Sequence, residues 1–212
     1  MNSMHENKKD FFNERADRWL DMFYRDETTG TYTKFDQEFD RLFSLINLEQ
    51  GDCVLDVGCG SGILVNYILP FIGQTGRLYE LDYASKMIEV NKKLHQDQRI
   101  DFLNTDLFDH HLNRESCDVV ICFSCFPHLG DKNQALAVIS HILKTGGKLV
   151  ISHFDSASDL NDHHRQYPEV MHDMLPSTEE MKGFMKNNGF VLHQFIDEAG
   201  FYCILAEKAT ET

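Results

Sequence analysis

The sequence predicts an α/β protein with a doubly wound, mostly parallel sheet of seven strands. From residue 53 to residue 152, short apolar runs alternate with stretches of helical periodicity, which is typical of βαβ units. Two more apolar runs near the carboxyl end are separated by only a few residues, which indicates a terminal antiparallel hairpin. Two amphipathic helices precede the first strand.

The first 50 residues predict a helical arm. Apolar side chains recur at helical spacing over residues 8–24 and again over 36–47, and the polar stretch 25–34 between them predicts a loop. We therefore expect residues 1–48 to form an arm or lid. Residues 49–212 then form the sheet-containing domain.

The seven strands follow in order, with helices between the first five. The predicted strands are 53–57, 77–81, 100–103, 118–123, 147–152, 190–196 and 201–207, and the helices between the first five are 62–70, 84–95 and 131–144. Asp131 is the expected N-cap of the third of these helices, and Gly146 falls just after its end. A capping box over Ser177–Glu180 opens a last helix, which stops at Gly189.

The composition argues against several classes of protein. Twenty Lys and Arg against 34 Asp and Glu give a net charge of −14, which disfavours nucleic acids and anionic membrane surfaces as partners. The N-terminus lacks a signal-peptide pattern, and every apolar run is shorter than the ~20 residues of a membrane span. The six cysteines lie mostly in apolar runs, which is typical of free thiols. We expect a cytoplasmic protein, with no indication of its oligomeric state.

A glycine-rich loop follows the first strand, in the sequence VLDVGCGSG over Val54–Gly62. Its glycines at positions 58, 60 and 62 allow a ligand to lie against the backbone near a helix N-terminus. A dinucleotide fingerprint requires its third glycine at position 63, which is Ile63, and a P-loop requires a lysine that is absent. A nicotinamide-dependent oxidoreductase is therefore disfavoured.

An acid follows or ends each of the first three strands. Asp56 lies at the end of the first strand, Asp82 after the second and Asp106 after the third. The carboxyl ends of parallel strands form the ligand crevice of doubly wound sheets, and a carboxylate there can accept hydrogen bonds from a ribose diol. Each acid alone is also compatible with a turn residue or a solvated surface charge. At three successive strand ends, we expect Asp82 to bind a ribose and Asp106 to accept from an adenine amino group.

These motifs together resemble the class I S-adenosylmethionine-dependent methyltransferases. The matching segments are LDVGCGSG (55–62), ELDYASKMIEVNKK (80–93), NTDLFD (104–109), CDVVICFSCFPHL (117–129) and HILKTGGKLVIS (141–152). The opening FFNERADRW (11–19) resembles small-molecule methyltransferases of the quinone-biosynthesis type. The resemblance implies a Rossmann-like methyltransferase fold and S-adenosyl-L-methionine as the cofactor.

The resemblance also implies roles for individual residues. The methionine end of the cofactor falls to Asp56, Gly58, Cys59 and Gly60, the ribose to Asp82, the adenine to Tyr83, Met87, Asp106 and Leu107, and the floor beneath the sulfonium to Cys122 and Phe123. One position departs from the family pattern. Many relatives have a small residue where this chain has Glu80, which adds negative charge beside the site.

The acceptor side is less clearly defined by the sequence. His128 follows the fourth strand and is the best candidate for a general base, Tyr32 lies in a loop able to close over the cofactor, and His164 lies in a His- and Asp-rich segment, residues 153–176. That segment, which we interpret as an acceptor-side insertion, is open to three readings: a divalent-metal site, direct acceptor contacts, or a solvated and partly helical cover. Its spacing matches no zinc signature, and we assign no metal ligands.

The resemblance thus predicts an enzyme that transfers a methyl group to a small-molecule acceptor by direct displacement. Because the cofactor carries the activated carbon, a base is required only when the acceptor must lose a proton. The alternative is a non-catalytic module that binds S-adenosylmethionine or S-adenosylhomocysteine and acts through a protein partner.

Overall fold

A computed structural model describes residues 2–210, and it confirms the predicted fold class. The helices are α1 (Asn2–Arg15), α2 (Trp19–Phe23), α3 (Asp36–Ile46), α4 (Val65–Ile72), α5 (Ser85–Leu94), α6 (Lys132–Ile142), α7 (Ala157–His164) and α8 (Thr178–Asn187). The strands are β1 (Cys53–Val57), β2 (Arg77–Leu81), β3 (Ile100–Leu103), β4 (Cys117–Phe123), β5 (Leu143–His153), β6 (Phe190–Glu198) and β7 (Phe201–Lys208). None of the described helices has both the length and the apolarity needed to cross a membrane.

The strands form one sheet in the order β3-β2-β1-β4-β5-β7-β6. Strands β1 to β5 are parallel, whereas β7 pairs antiparallel with both β5 and β6. The strand order reverses between β1 and β4. In a doubly wound sheet this reversal opens a crevice at the carboxyl ends of the strands.

The sheet is buried on both faces. One face packs under α6 and α8 through residues such as Leu136 and Met181, and the other packs under α3 and α4 through residues such as Leu42 and Ile68. Successive residues of β1 alternate between the two clusters, as the period of two of a strand requires. The rigid sheet fixes the positions of the loops at its carboxyl edge.

The N-terminal arm packs against the domain at α5 and the glycine loop. A turn of 3-10 helix (Ala16–Arg18) separates α1 from α2, where the sequence predicts one continuous helix over 8–24. Asn13 Oδ1 accepts a hydrogen bond from the backbone N–H of Lys86 (3.0 Å), and the Ser61 hydroxyl donates to the carbonyl of Ala16 (3.3 Å). These bonds place the arm over the ends of β1 and β2. The boundary between residues 1–48 and 49–212 stays a prediction.

The larger differences from the predicted element boundaries lie at two helices and at the terminal hairpin. The predicted helix 131–144 ends at Ile142, because Leu143 already pairs with Cys117 at the start of β5 and Gly146 (φ +76°) lies within an irregularity of that strand. The predicted helix 62–70 becomes Val65–Ile72, since the glycine loop continues as turns through residue 64. The hairpin strands are longer than predicted and leave only residues 199–200 as the connection.

The segment 153–176 is partly helical. Ser156 caps α7 by accepting a hydrogen bond from the Asp159 N–H, and the Asn161 amide exchanges two hydrogen bonds with the backbone of Leu175. The predicted capping box then opens α8, with the Ser177 side chain accepting from the Glu180 N–H. The segment is thereby folded back against the end of β4.

Candidate active site

A cavity of about 470 Å³ lies at the carboxyl ends of β1, β2 and β4. Its walls come from the glycine loop, the loops after β2, β3 and β4, and the inner face of the N-terminal arm. Most of the predicted cofactor residues line it: Asp56, Gly58, Cys59, Gly60, Asp82, Tyr83, Met87, Asp106, Leu107 and Phe123. The fold thus gathers residues that are up to 67 positions apart (Asp56 to Phe123) around one space.

The glycine loop is shaped by close contacts as well as by backbone conformation. Gly58 has φ +65°, and a Cβ at this position would lie 2.5 Å from Cβ of Cys125. Gly62 has φ +84°, and a Cβ there would meet the amide of Asn91 at 2.2–2.8 Å. The Cys59 N–H donates to the carbonyl of Leu81 (3.0 Å), which joins the loop to the end of β2. The loop leaves no room for side chains at its first and third glycines.

Asp82 links the two loops that frame the cavity. Its Oδ2 accepts from the N–H of Gly60 (2.9 Å) and its Oδ1 accepts from the N–H of Ala84 (2.8 Å). Burial raises the pKa of Asp82 to about 6, although both backbone N–H groups favour the charged form. A carboxylate has about four acceptor sites, so two remain for a ligand diol.

Asp56 and Glu80 add two buried carboxyls to this edge of the sheet. Asp56 Oδ1 lies at the cavity without a hydrogen-bond partner, and burial together with nearby Glu80 raises the pKa of Asp56 well above its usual range. Glu80 accepts from the Asn91 amide at 2.6 Å, while its other oxygen is unpartnered. Burial raises the pKa of Glu80 to about 7, against the effect of the Asn91 hydrogen bond. Such a cluster favours a cationic ligand.

The residues expected around the adenine lie at the ends of β2 and β3. Tyr83 and Met87 line one side of the cavity, and Asp106 and Leu107 line the other. Asp106 also accepts a hydrogen bond from the Phe108 N–H (2.9 Å), which fixes the turn after β3. Cys122, in contrast, is fully buried within the sheet and does not line the cavity. Of the two residues expected beneath the sulfonium, the structure thus places Phe123 at the cavity and Cys122 inside the sheet.

Of the three acceptor-side candidates, His128 and His164 lie side by side, with ring centroids 5.0 Å apart, and Tyr32 lies elsewhere. His128 lines the cavity, and its Nδ1 lies 2.8 Å from Oδ2 of Asp173. His164 is buried behind it, with its Nδ1 hydrogen-bonded to the backbone carbonyl of Asp173, and it does not line the cavity. Tyr32 is 42% exposed and its hydroxyl donates to Asp21 (3.3 Å), so it lies outside the cavity in this conformation.

Several lining residues were not predicted from the sequence. Phe12 and Trp19 reach the cavity from the arm, Tyr24 and Ser124 line it beside β4, and Lys8 closes one edge. The spacing of the aromatic residues over 8–24 predicted a buried helix face, but it did not show against which surface that face packs. Asp173 belongs to the His- and Asp-rich segment that the sequence marked, but nothing local in the sequence couples it to a loop 45 residues earlier.

Among residues 6–210, no three His, Cys, Asp or Glu side chains converge in a group able to hold a metal ion. In the segment 153–176, hydrogen bonds hold His164 and Asp173 to the protein itself. The three interpretations of this segment stay predictions.

Comparison with known proteins identifies the domain. Residues 55–151, which span the glycine loop to β5, match the family described as "Methyltransferase domain". The matches support a class I S-adenosylmethionine-dependent methyltransferase domain in this chain. They agree with the family, the enzyme class and the cofactor expected from the sequence.

The relatives of this chain differ in length and name. It is 27% identical over 162 residues to O-methyltransferase rstn1 of Aspergillus nomiae, covering 70% of this chain and 68% of that protein. It is 27% identical over 168 residues to the malonyl-[acyl-carrier protein] O-methyltransferase of a Paenibacillus species, covering 74% of this chain and 58% of that protein. It spans only 38% of the length of a putative methyltransferase from Invertebrate iridescent virus 6.

Solved structures share the fold. A Haloferax volcanii putative methyltransferase, solved in a complex with the Trm112 methyltransferase activator, superposes with a TM-score of 0.75 at 18% identity, over 94% of this chain and 98% of that one. A methyltransferase from Aquifex aeolicus gives a TM-score of 0.67 at 18% identity, over 81% of this chain and 90% of that one.

The residues present fit S-adenosylmethionine, the cofactor of this family. No side chain covers the backbone of the glycine loop at Gly60, and the carboxylate of Asp82 beside it retains free acceptor sites. The unpartnered buried oxygen of Asp56 suits a cationic amino group. Phe12 and Trp19 supply apolar cover from the arm.

Proposed function

We propose that the protein transfers a methyl group from S-adenosylmethionine to a small-molecule acceptor by direct displacement. The observation that carries the proposal is the cavity, which runs without interruption from the acids of the glycine loop to His128 after β4. Cofactor residues occupy one part of its wall. The other part, formed by Tyr24, Ser124 and His128, is left for an acceptor.

When bound, the cofactor supplies a methyl group activated on a sulfonium, and the protein has to align the acceptor and exclude water. Asp56 and the loop carbonyls and N–H groups hold one end of the ligand, and Asp82 holds the ribose. Phe12 and Trp19 cover the cavity and limit the entry of water. His128 is the group placed to take a proton from the acceptor.

Two features support a small acceptor over a macromolecule. Residues of the N-terminal arm form part of the cavity wall, and the net charge of −14 opposes a nucleic-acid substrate. Several relatives carry names of small-molecule enzymes, including a ubiquinone biosynthesis O-methyltransferase of Vibrio atlanticus that is 30% identical over 105 residues. This chain covers 43% of that relative, so its acceptor is not transferred to this protein.

The test is an isotope screen for the acceptor. The protein is incubated with a metabolite extract and an equal mixture of normal and methyl-deuterated S-adenosylmethionine. Products that form as pairs separated by the deuterium label identify the acceptor by mass spectrometry. We expect such pairs with the wild-type protein and none with Asp82→Ala.

The same experiment separates the enzyme from the non-catalytic alternative. A binding module saturates with S-adenosylhomocysteine in a calorimeter but gives no labelled pairs and no S-adenosylhomocysteine from S-adenosylmethionine. Asp101→Asn is the matched control, because it breaks an exposed ion pair with Arg77 on the surface of β3 and leaves the cavity intact.

A further inference from the structure

A hydrogen-bonded network joins His128 to two segments that are distant in sequence. Asp173 presents Oδ2 to Nδ1 of His128 at 2.8 Å, and its Oδ1 accepts a hydrogen bond from Nζ of Lys8 at 2.7 Å. The side chains of Asp173, Lys8 and His128 are only 10%, 15% and 16% exposed. One carboxylate therefore ties the arm and the segment 153–176 to the loop after β4.

The charge state of this carboxylate follows from its partners. Burial alone would raise the pKa of Asp173, but the hydrogen bonds from His128 and Lys8 outweigh burial and lower it. Asp173 is therefore an anion at neutral pH and acts only as an acceptor. Its backbone carbonyl accepts from His164, whose ring lies 5.0 Å from the ring of His128.

An anionic acceptor at Nδ1 decides which ring nitrogen of His128 carries the proton. A carboxylate cannot donate, so the proton of the neutral imidazole lies on Nδ1 and Nε2 is left with its lone pair. His128 is also a wall of the cavity, beside Phe12, whose ring packs edge-on at 5.3 Å. This is the arrangement of a base with an orienting partner.

We propose that Asp173, held in place by Lys8, is a positioning residue that keeps Nε2 of His128 unprotonated for a general base, and that the acceptor is accordingly a compound that must lose a proton, such as a phenol or an enol. The inference rests on the proposed function and names the acceptor class for it. A tertiary amine or a thioether has no proton to give up and would not need such a base.

Methyl transfer to the acceptor oxygen balances in protons and electrons. The acceptor O–H bond breaks and its proton passes to Nε2 of His128, while an oxygen lone pair forms the new bond to the methyl carbon. The electron pair of the broken carbon–sulfur bond stays on sulfur. The imidazolium then faces the carboxylate of Asp173, which stabilises its charge until the proton leaves to water.

The arm takes part in this arrangement through Lys8. Because Lys8 belongs to α1, the orienting carboxylate has both of its partners only when the arm is packed over the cavity. The base is thus assembled from three separate parts of the chain.

Nitrogen NMR of the histidine rings tests the inference without a known acceptor. In protein labelled with ¹⁵N-histidine, the signals of His128 are identified by their loss in His128→Gln, and spectra are recorded under conditions where the ring is neutral. We expect Nδ1 of His128 to be protonated and Nε2 unprotonated. In Asp173→Ala the proton is expected to redistribute toward Nε2, and in Lys8→Met to do so partly. Lys9→Met and Asp101→Asn serve as controls.

Two results would overturn the inference: a His128 that carries its proton on Nε2 in the wild-type protein, or a tautomer that does not change in Asp173→Ala. Each variant is also titrated with S-adenosylhomocysteine in a calorimeter. If the wild-type protein binds none, the proposed function fails, whatever the NMR result. If the variants bind normally, a tautomer change reports positioning and not unfolding.

A matched pair of probes tests the acceptor class. Umbelliferone offers a phenol hydroxyl, and its dimethylamino analogue offers a tertiary amine on the same ring system. We expect S-adenosylhomocysteine to form with umbelliferone, at a rate about 100-fold lower in Asp173→Ala because of the loss of a positioned base. Transfer to the dimethylamino analogue alone, or an equal rate in Asp173→Ala, would contradict the inference.

Discussion

At the residue scale, the glycine loop depends on positions where a side chain would collide with the loop after β4 or with α5. Gly58 combines a left-handed φ of +65° with a 2.5 Å approach to Cys125. Gly200, in the terminal hairpin, has a similar φ of +77°, but nothing lies within 4 Å of a Cβ built there. The pair therefore separates the cost of backbone conformation from the cost of a steric clash.

Gly58→Ala is expected to lower the free energy of unfolding by about 2–5 kcal/mol, the sum of a left-handed backbone and an overpacked contact. Gly200→Ala is expected to lower it by about 1–2 kcal/mol, since only the backbone penalty applies. Urea denaturation of both variants measures the difference. Equal losses would mean that the contact between Gly58 and Cys125 does not restrict the loop.

The buried carboxyl of Glu80 predicts a pH-dependent stability. Its pKa is raised from 4.5 to about 7, so the folded chain binds a proton that the unfolded chain releases between these values. The contribution of Glu80 to stability is complete below about pH 4.5 and is lost as the pH rises through about 7. Glu80→Gln is expected to make the unfolding free energy fall less steeply over this range.

The control is Glu179→Gln, which changes an 85% exposed side chain at the start of α8. Denaturation at several pH values between 5 and 8 should show the wild-type slope for this variant. A wild-type slope in Glu80→Gln as well would show that Asp56 and Asp82 alone account for the pH dependence.

At the scale of elements, the N-terminal arm is the part of the molecule that covers the ligand. Trp19, the only tryptophan of the chain, lies beside the glycine loop, where a Cβ at Gly60 would be 3.7 Å from its Nε1. A ligand that enters the cavity changes the surroundings of this indole. The fluorescence of Trp19 can therefore be used to follow ligand binding beneath the arm.

S-adenosylhomocysteine is expected to change the tryptophan emission in a saturable manner, with the same midpoint as calorimetric binding, because Trp19 lines the cavity. A fluorescence titration measures this change, and Asp82→Ala should shift its midpoint to higher concentration. Unchanged emission at calorimetric saturation would show that the arm does not cover the bound ligand.

The elements that the sequence predicts well are those whose signal is local. The alternation of apolar runs gave all seven strands, and the capping residues Asp131 and Ser177 lie at the helix starts that the structure shows. The end of the helix before β5 was wrong, because the pairing of Leu143 with Cys117 is a tertiary contact that extends the strand. The tendency of glycine to end a helix, on which the prediction at Gly146 was based, carries no information about such a contact.

The residues of the candidate site also differ in whether a local sequence signal marks them. Asp56, Gly58 and Asp82 could be placed because a motif and a strand end mark each of them. The network of Lys8 and Asp173 could not, since it joins residues 165 positions apart whose neighbours carry no common pattern. His128 was also predicted from its position after β4, whereas the structure was needed to show that Tyr24 and Ser124 line the same cavity.

For the whole molecule, the net charge and the topology of the sheet both favour a cationic ligand at the ends of the strands. The net charge of −14 and the carboxyls at the ends of β1 and β2 both favour a cationic ligand over an anionic one. The crevice at the strand-order reversal supplies the space. A dinucleotide such as NAD carries two phosphates, which these acids would repel. The glycine loop has no lysine that could balance the phosphate charge.

The most direct test of this account is a calorimetric titration with S-adenosylmethionine, using NAD as the control ligand. We expect wild-type binding to exceed that of Asp82→Ala by about 100-fold, since two charge-assisted hydrogen bonds worth about 3 kcal/mol in total are lost. Asp101→Ala, at an exposed site on β3, should bind as the wild-type protein does. Equal affinity of the wild-type protein and Asp82→Ala, or a preference for NAD, would contradict the central claim.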